Sequence, residues 1–336
     1  MTTFSPVFDI ALQAGFGARA ELIREVREGL LSRPSSLKPW MFYDELGSRL
    51  FEQITTLPEY YPTRTERWLL ERNADAIVAS ACADSRALRV IELGAGTASK
   101  TRLLLAAAAR SQIDVIYMPL DVSADALEIA CRGIESAFPA VLIEPVVENY
   151  VDSPPNLERF DGPTLALYLG SSIGNFLPHE SRTILRNIRS QLRGADALVL
   201  GTDLVKAEST LVAAYDDNEG VTAAFNLNIL NRLNNELGAD FDCNGFRHFV
   251  RWNSSESRIE MHKSVRDQFV RIADAELELQ FEKGATIHTE NSYKFTDSTL
   301  DALLSDSGFE TESAWKDERN WYALTLSRPR EQDGCD

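Results

Sequence analysis

The segment from Val90 to Lys100 holds the residues whose types and spacing point most directly to ligand chemistry. An apolar run ends in Gly94-Ala95-Gly96, and a helix-like stretch follows. Glycine carries no Cβ and tolerates positive φ, so a strand that enters a helix through glycines lets the backbone approach a ligand closely. The spacing Gly-x-Gly-x-x-Ser departs from the dinucleotide fingerprint at its third glycine, and an acid, Glu92, stands just before the first glycine. By itself this pattern is also typical of a plain structural turn or of another nucleotide site.

A second strand-like run, Tyr117 to Leu120, ends in an acid, Asp121. It lies roughly 25 residues after the glycines, near the spacing at which a carboxylate binds ribose hydroxyls. The alternative is that Asp121 only caps the helix that follows. A third run, Val141 to Val147, leads into Asn149 and Tyr150, where an adenine-binding polar residue is expected. Because the ends of these strands should form one crevice, we predict a nucleoside cofactor.

A fourth run, 164–169, ends in a glycine-flanked turn that contains Asn175. An asparagine offers an acceptor to an amine and donors to a carboxylate. Asn175 is therefore a candidate substrate ligand at the rim of the crevice. In most chains such an asparagine merely closes a turn, and the turn alone does not decide between the two.

The runs that carry these residues alternate with helices along the middle of the chain. Strand-like runs are predicted at 88–93, 114–120, 140–147, 164–169 and 196–202. That alternation predicts an α/β fold with a parallel, doubly wound sheet and ligands at the carboxyl ends of the strands. A helix at 297–307 and strands at 309–315 and 321–327 should close the sheet.

Two other regions differ in character from this core. The N-terminal part is mostly helical, and its third helix opens near Thr63 with Glu66 as the expected capping-box partner. Between 240 and 290, polar residues alternate with apolar ones, as in half-exposed antiparallel strands. We expect an added substrate lobe built from 1–62 and an inserted segment, 240–290. The core is then 63–239 with 291–328.

Composition excludes several classes of partner. The net charge of the 336 residues is −17, which argues against nucleic acid and against an anionic membrane surface. No apolar run approaches the roughly 20 residues that span a bilayer, and the start of the chain lacks a signal-peptide pattern. The four cysteines and four histidines are scattered without metal-ligand spacing. We expect a cytoplasmic monomer with no metal.

Several blocks resemble known protein families. The acid-x-Gly-x-Gly turn is similar to the first motif of class I S-adenosylmethionine-dependent methyltransferases, in which the turn holds the amino-acid part of the cofactor. Much longer matches resemble the histidine-specific methyltransferases, which include the ergothioneine-pathway enzyme that trimethylates the α-amino group of L-histidine to hercynine. The matching blocks are Tyr43-Asp-Glu-Leu-Gly-Ser48, Leu57-Pro-Glu-Tyr-Tyr-Pro-Thr-Arg-Thr-Glu66, Gly170-Ser-Ser-Ile-Gly-Asn175, Gly201-Thr-Asp-Leu-Val-Lys206, Ala214-Tyr-Asp-Asp217, Gly220-Val-Thr-Ala-Ala-Phe-Asn226, Trp252-Asn253, Arg258-Ile-Glu-Met261 and Thr289-Glu-Asn-Ser292. The similarity covers roughly residues 37 to 327.

The resemblance implies a role for each matching position. Near the substrate amine it implies Tyr43, Tyr60 and Asn175, of which Asn175 also contacts the carboxylate. The remaining substrate positions are Tyr215 for the carboxylate, Glu290 and Ser292 for the imidazole, and Thr222 and Met261 as pocket walls. For S-adenosylmethionine it implies Gly94, Lys100 and Asp121. The family tends to carry Asp-Phe for adenine where this chain has Asn149-Tyr150, and the asparagine carbonyl can still pair with the adenine amino group.

The function implied is Nα-trimethylation of L-histidine by a cytosolic L-histidine Nα-methyltransferase. One alternative keeps the chemistry and changes the substrate to another aromatic amino acid, such as tryptophan, or to a prenylated tryptophan, as some fungal relatives of the family use. Glu290 with Ser292 argues against an indole, because an unpaired buried carboxylate costs several kcal/mol. The other alternative is a non-catalytic S-adenosylmethionine-binding regulatory subunit, which should lack the substrate residues.

Overall fold

The computed structural model describes residues 6–330 except 83, 84, 112, 122, 123, 149, 152 and 156, with side chains from residue 19 onward, residue 125 excepted. The helices are α1 (Pro6–Leu31), α2 (Glu45–Thr56), α3 (Tyr61–Cys82), α4 (Thr101–Arg110), α5 (Ala124–Ala137), α6 (Pro178–Gln191), α7 (Glu208–Ala213), α8 (Val221–Leu237) and α9 (Asp297–Asp306). Short 3-10 turns cover Pro39–Phe42, Ser172–Asn175 and Cys243–Gly245.

The strands follow in the same chain order. They are β1 (Ser35–Ser36), β2 (Ala87–Leu93), β3 (Asp114–Asp121), β4 (Leu142–Ile143), β5 (Val146–Val147), β6 (Thr164–Tyr168), β7 (Ala197–Asp203), β8 (Phe246–Asn253), β9 (Arg258–Val265), β10 (Gln268–Ile272), β11 (Leu277–Phe281), β12 (Thr286–Tyr293), β13 (Phe309–Lys316) and β14 (Tyr322–Pro329). The chain divides into two compact units, and each is described by itself below.

The core unit consists of Pro62–Val205 and the segment from Lys294 onward. Its eight-stranded sheet has the order β13-β14-β7-β6-β2-β3-β4, with β5 also paired to β3. Strands β7, β6, β2 and β3 are parallel to one another, whereas β14 is antiparallel to β7 and β13 is antiparallel to β14. Residues 88–93 of β2 are all buried, as expected for a central parallel strand with both faces covered. The α/β fold predicted from the alternation of strands and helices is confirmed.

The third predicted strand, 140–147, is interrupted. Two short pieces, β4 and β5, flank Pro145 and pair with β3 at separate points. Proline has no N–H to donate to a sheet, so it breaks the ladder between them. The edge of the sheet is therefore irregular just before the residues expected at the adenine position.

The lobe consists of the residues up to Tyr61 together with Lys206–Tyr293. A four-stranded sheet, in the order β1-β12-β9-β8, and a separate β10-β11 hairpin provide its strands. Helix α8 buries Phe225, Ile229 and Leu233 along one face, at the spacing that aligns side chains on a helix.

This packing corrects the predicted domain boundary at 240. The sequence predicts that residues 206–239 belong to the core, because they look helical and follow a core strand. In the structure Phe225 of α8 packs against Phe42 of the lobe, with ring centroids 4.6 Å apart. Arg232 also donates to the Met41 carbonyl at 3.0 Å. The apolar face of α8 thus packs against residues that are distant in the sequence. The local sequence pattern does not show which residues these are.

Candidate active site

The glycine turn at the end of β2 adopts the conformation that its sequence favours. Gly94 and Gly96 have φ of 67° and 51°, values that glycine adopts without steric cost. A Cβ at Gly94 would come within 2.9 Å of the Tyr150 hydroxyl, while one at Gly96 would meet nothing within 4 Å. The backbone is thus open at Gly96, as a turn that contacts a ligand requires.

Asp121 lies beside this turn at the end of the neighbouring strand. Its Oδ2 accepts a hydrogen bond from the Gly96 amide at 3.1 Å. The amides of Gly94 and Ala95 donate to the Leu120 carbonyl at 2.9 and 3.2 Å. The partly exposed carboxylate of Asp121 therefore lies at the carboxyl edge of the sheet, where the sequence predicted it.

Glu92, the acid of the glycine motif, points into the core unit and is only 3% exposed. It accepts a hydrogen bond from the Tyr117 hydroxyl of β3. Burial raises the pKa of Glu92 to about 7, against the opposing effect of hydrogen bonds from Thr101 and Tyr117. Glu92 is therefore a buried acid at the end of β2, just before the glycine turn, and it titrates near neutral pH.

Glu66 corrects a prediction. The sequence pattern made it a capping-box partner of the third helix, but its carboxylate is fully buried in the core unit. It accepts hydrogen bonds from the Gly170 amide, at 2.8 and 3.0 Å to its two oxygens, and from the Tyr322 hydroxyl at 2.8 Å. It also forms an ion pair with Lys100. A buried carboxylate needs several donors, and donors distant in sequence supply them here.

The turn after β6 carries Asn175 as the last residue of a 3-10 turn. Gly170 and Ser171 both have positive φ, at 80° and 59°. The Ser171 hydroxyl accepts from the Asp203 amide at 2.9 Å, and Asp203 pairs with Lys294 at 2.9 Å in the interior. Asn175 is half-buried, and its contact with the amino acid stays a prediction.

The adenine position is described only in part. Asn149 lies outside the described residues. The Tyr150 ring packs edge-on against Tyr168, with centroids 6.0 Å apart. Burial raises the pKa of Tyr150, so its hydroxyl stays protonated. The role of both residues toward adenine stays a prediction.

In the lobe, the tyrosines expected near the amine belong to one aromatic cluster. Tyr43 makes edge contacts with Phe51 and Phe225, at centroid distances of 5.7 Å each. Phe51 in turn contacts Tyr60 at 6.4 Å, and Tyr60 contacts Tyr215 at 6.3 Å. The cluster brings together three predicted substrate residues from separate parts of the sequence.

Tyr215 connects this cluster to β12. Its hydroxyl is 2.7 Å from the Ser292 hydroxyl, and both residues are buried. Next to it, Asn218 donates to the Glu59 carboxylate at 2.9 Å. The bond to Glu59 holds the loop between α7 and α8 against the segment that carries Tyr60, and the bond to Ser292 holds it against β12.

Thr222 stands in the first turn of α8 and is buried. Asp217 caps this helix, since its carboxylate accepts from the Val221 and Thr222 amides at 2.9 and 2.8 Å. Although burial acts in the opposite direction, hydrogen bonds from Thr222 and Val221 lower the pKa of Asp217. An ionised acid at this helix N-terminus also interacts favourably with the helix dipole.

Glu290 and Met261 lie opposite each other on paired strands. The register of β12 and β9 shifts between His288 and Glu290, after which Glu290 pairs with Met261. A β-bulge of this kind re-aims the side chains that follow it. Met261 is buried and Glu290 half-buried. The lobe contains the predicted substrate residues Tyr43, Tyr60, Tyr215, Thr222, Met261, Glu290 and Ser292, whereas Asn175 belongs to the core unit.

Sequence reasoning missed two aromatic members of the cluster, Phe51 and Phe225. Each looked like an ordinary apolar residue of an amphipathic helix. Phe225 stands within the matching block Gly220–Asn226, and that block was the available signal for it. Phe51 follows the Tyr43–Ser48 block by one helical turn, so helical periodicity places it beside that block.

No helix among the described residues is long and apolar enough to cross a bilayer. In the same part of the chain, no cluster of three or more histidine, cysteine or acidic side chains is arranged to hold a metal ion.

Comparison with known proteins gives matches over nearly the whole chain. The family model of histidine-specific, S-adenosylmethionine-dependent methyltransferases matches residues 22–329. The chain is 42% identical to a histidine N-alpha-methyltransferase of Mycolicibacterium smegmatis, over 94% of this chain and 97% of that one. The protein of the same name from Mycobacterium tuberculosis is also 42% identical, over 91% and 94%. An ergothioneine biosynthesis protein 1 of Schizosaccharomyces pombe is 27% identical over 86% of this chain and 39% of its own length.

Proposed function

The chain belongs to the family of histidine-specific, S-adenosylmethionine-dependent methyltransferases, and we propose that it methylates the α-amino nitrogen of L-histidine. Three successive transfers give hercynine, the betaine of histidine, as a step of ergothioneine biosynthesis. The observation that carries the proposal is the aromatic cluster of the lobe, joined through the Tyr215–Ser292 hydroxyl pair to the strand that bears Glu290.

The residues of the core unit fit the cofactor. Open backbone at Gly96 suits the amino-acid part of S-adenosylmethionine, and the Lys100 ammonium suits its carboxylate. The Asp121 carboxylate, held to the Gly96 amide, suits the ribose diol because it accepts two hydrogen bonds. When bound, S-adenosylmethionine supplies an electrophilic methyl group on a sulfonium centre.

The tyrosines of the lobe suit an amine that gains methyl groups. Tyr43 and Tyr60 offer hydroxyls that orient the amine lone pair and pass its proton to water, so alignment rather than a strong base does most of the work. Their ring faces attract the substrate ammonium cation, which gains one methyl group with each transfer. Tyr43 is 36% exposed, which leaves a solvent path for the proton.

The polar residues of β12 suit an imidazole. Glu290 accepts the ring N–H, and Ser292 complements the other ring nitrogen by donating its hydroxyl hydrogen. The two hydroxyls of the Tyr215–Ser292 pair carry only two hydrogens, so the bond between them opens when both donate to the substrate. Tyr215 donates its hydroxyl hydrogen to the substrate carboxylate, while Thr222 and Met261 supply buried walls. A site that hydrogen-bonds a substrate N–H discriminates strongly against rings that cannot offer the same pattern.

Mass spectrometry of the products tests the function. The purified protein is incubated with methyl-labelled S-adenosylmethionine and each aromatic amino acid in turn. We expect histidine to gain three labelled methyl groups, located on the α-nitrogen by fragmentation. Nα-acetylhistidine, whose α-nitrogen is blocked, should give no product.

Three outcomes contradict the proposal. Label on the imidazole ring, or a preference for tryptophan, removes the histidine Nα assignment. Accumulation of monomethylhistidine alone removes the proposed amine pocket, because the tyrosine cluster should bind dimethylhistidine at least as well as histidine.

A further inference from the structure

A buried polar network lies behind the lobe's candidate substrate residues, with the side-chain amide of Asn226 at its centre. Asn226 is fully buried on α8. Its Nδ2 donates to His248 Nδ1, 2.7 Å away, and to the His262 carbonyl at 3.2 Å. Its Oδ1 accepts from Lys263 Nζ at 2.9 Å and from the Thr289 hydroxyl at 2.8 Å. Both donors and both acceptor positions of the amide are therefore in use.

One arm of the network reaches Tyr215. Because the Asn226 amide nitrogen can only donate, His248 Nδ1 must accept, and the ring proton is on Nε2. That Nε2 lies 2.9 Å from the Tyr215 carbonyl, to which it donates. Burial lowers the pKa of His248, which is consistent with a neutral ring. Tyr215 is thus held at its carbonyl by His248 and at its hydroxyl by Ser292.

The other arm reaches Glu290. The Thr289 hydroxyl, whose single hydrogen points to Asn226 Oδ1 at 2.8 Å, also lies 3.2 Å from the Met261 carbonyl oxygen. Thr289 is fully buried and lies in the β-bulge between His288 and Glu290. Fixing Thr289 therefore fixes the bulge, and the bulge determines where the Glu290 side chain begins.

Lys263 shows that the network is costly. Its side chain is fully buried, and its Nζ lies 5.6 Å from the centroid of the Phe42 ring. Burial lowers the pKa of Lys263 well below its ordinary value. An apolar residue of similar length would be the more stabilising choice at such a position. Costly buried groups of this kind are typical of functional regions, where stability is traded for activity.

We propose that Asn226, together with Lys263 and His248, is a positioning centre that sets the separation between Tyr215 and Glu290 and thereby selects histidine. The inference rests on the proposed function, in which Tyr215 binds the substrate carboxylate and Glu290 the imidazole. A single amide connects the two arms, so loss of the amide changes their spacing without removing either contact group.

Two variants and one control test this centre. Asn226→Asp keeps the size of the side chain but loses both amide donors, and Lys263→Met removes the ammonium while keeping the length of the stem. Asn234→Asp makes the same substitution on the same helix. Within the described part of the chain, Asn234 bonds to the 241–243 segment and exchanges two hydrogen bonds with the Phe241 backbone at 2.9 Å each.

We expect both network variants to raise the KM for histidine about ten- to hundredfold, with kcat changing less and the preference over tryptophan falling. Lys263→Met should at the same time raise Tm, because it removes a buried base. Asn234→Asp should lower Tm and leave KM within about twofold of wild type. Nitrogen NMR of His248 should show a proton on Nε2 alone in the wild type, and a changed ring protonation in Asn226→Asp.

The outcomes separate the inference from the proposed function. If the wild type does not methylate histidine, the proposed function is wrong and the inference falls with it. If the wild type methylates histidine but both network variants keep its KM, the inference alone is wrong. The same holds if KM simply follows Tm across all three variants, since the network is then only structural.

Discussion

At the residue scale, the candidate site depends on polar groups whose behaviour is set by their surroundings. Glu92 and Glu290 are both glutamates that lie in strands. Glu92 is buried beneath a glycine turn, whereas Glu290 is half-buried on the lobe. Glu92 should titrate near neutral pH without contacting the substrate. Glu290 should accept a hydrogen bond from the substrate ring.

Replacing Glu290 with alanine tests whether Glu290 recognises the substrate ring. The change removes a charge-assisted hydrogen bond and leaves room for a larger, less polar ring. The kcat/KM for histidine should fall by about ten- to hundredfold, while that for tryptophan should fall less or rise. The measurement is the ratio of the two constants in variant and wild type. Glu278→Ala, which removes an exposed carboxylate from β11, is the control, and an unmoved ratio in Glu290→Ala means that Glu290 does not select the ring.

Glu92→Gln tests the titration of the buried acid. Burial raises the folded-state pKa of Glu92 from 4.5 to about 7, so the folded protein keeps a proton that the unfolded chain has already lost. The free energy of unfolding of the wild type should therefore fall by up to about 3 kcal/mol as pH rises through this window, and level off above it. The variant lacks this loss, so its stability relative to wild type should increase from pH 5 to 7 in urea titrations.

Glu312→Gln is the matched control for that experiment. A hydrogen bond from Arg328 lowers the pKa of the Glu312 carboxyl. The stability that Glu312 contributes is present above its unfolded pKa and is lost only as pH falls below it. The difference in the free energy of unfolding between Glu312→Gln and the wild type should stay constant between pH 5 and 7. A flat difference for Glu92→Gln as well means that Glu92 is ionised throughout.

At the scale of elements, Glu66 joins four parts of the core unit. Helix α3 carries it, and its partners come from the start of α4, the turn after β6 and strand β14. The three partner residues, Lys100, Gly170 and Tyr322, are far apart in the sequence. The position of Lys100 and of the turn that carries Asn175 therefore depends on one carboxylate.

Glu66→Gln should weaken both stability and cofactor binding. Glutamine keeps the shape but offers a donor where the Lys100 ammonium needs an acceptor. We expect a loss of about 2–4 kcal/mol in the free energy of unfolding and a rise of about tenfold in the Kd for S-adenosylmethionine by calorimetry. Tyr322→Phe removes a single hydrogen bond to the same carboxylate, so it should cost about 1.5–3 kcal/mol and leave the Kd unchanged. Equal effects of the two variants on Kd mean that Glu66 does not act through Lys100.

At the scale of the whole molecule, the net charge of −17 is the dominant feature. Like charges on a folded chain repel one another, and salt screens them over about 10 Å at 0.1 M. Adding sodium chloride at low ionic strength should therefore raise Tm by about 2–5 °C, measured by calorimetry at constant pH.

A charge-reduced variant gives the control for salt dependence. Asp301, Glu310 and Glu318 are exposed acids of the core unit, and replacing all three by their amides changes the net charge from −17 to −14. The rise of Tm with salt should be smaller in this variant. A Tm that falls with salt in the wild type means that ion pairs outweigh the net repulsion.

The sequence by itself determined the features that depend on neighbouring residues. Alternating apolar runs and helices were sufficient for the α/β fold, because burial on both faces imposes continuous apolar strands such as β2. The glycines at 94 and 96 marked a turn with positive φ, and Asp121 followed at the end of the next strand. The matching blocks indicated the family, because long specific strings of residues do not recur by chance.

Only the tertiary structure decided which distant residues meet. The same local pattern that made Glu66 a capping residue is compatible with the buried acid that it proves to be. Local pattern does not distinguish helix α8 from a core helix, and the matching block that contains Asn226 does not show which residues its side chain contacts. In each case the free energy comes from contacts between residues far apart in the chain. Local periodicity records only that a side chain is buried, whereas the fold determines what it is buried against.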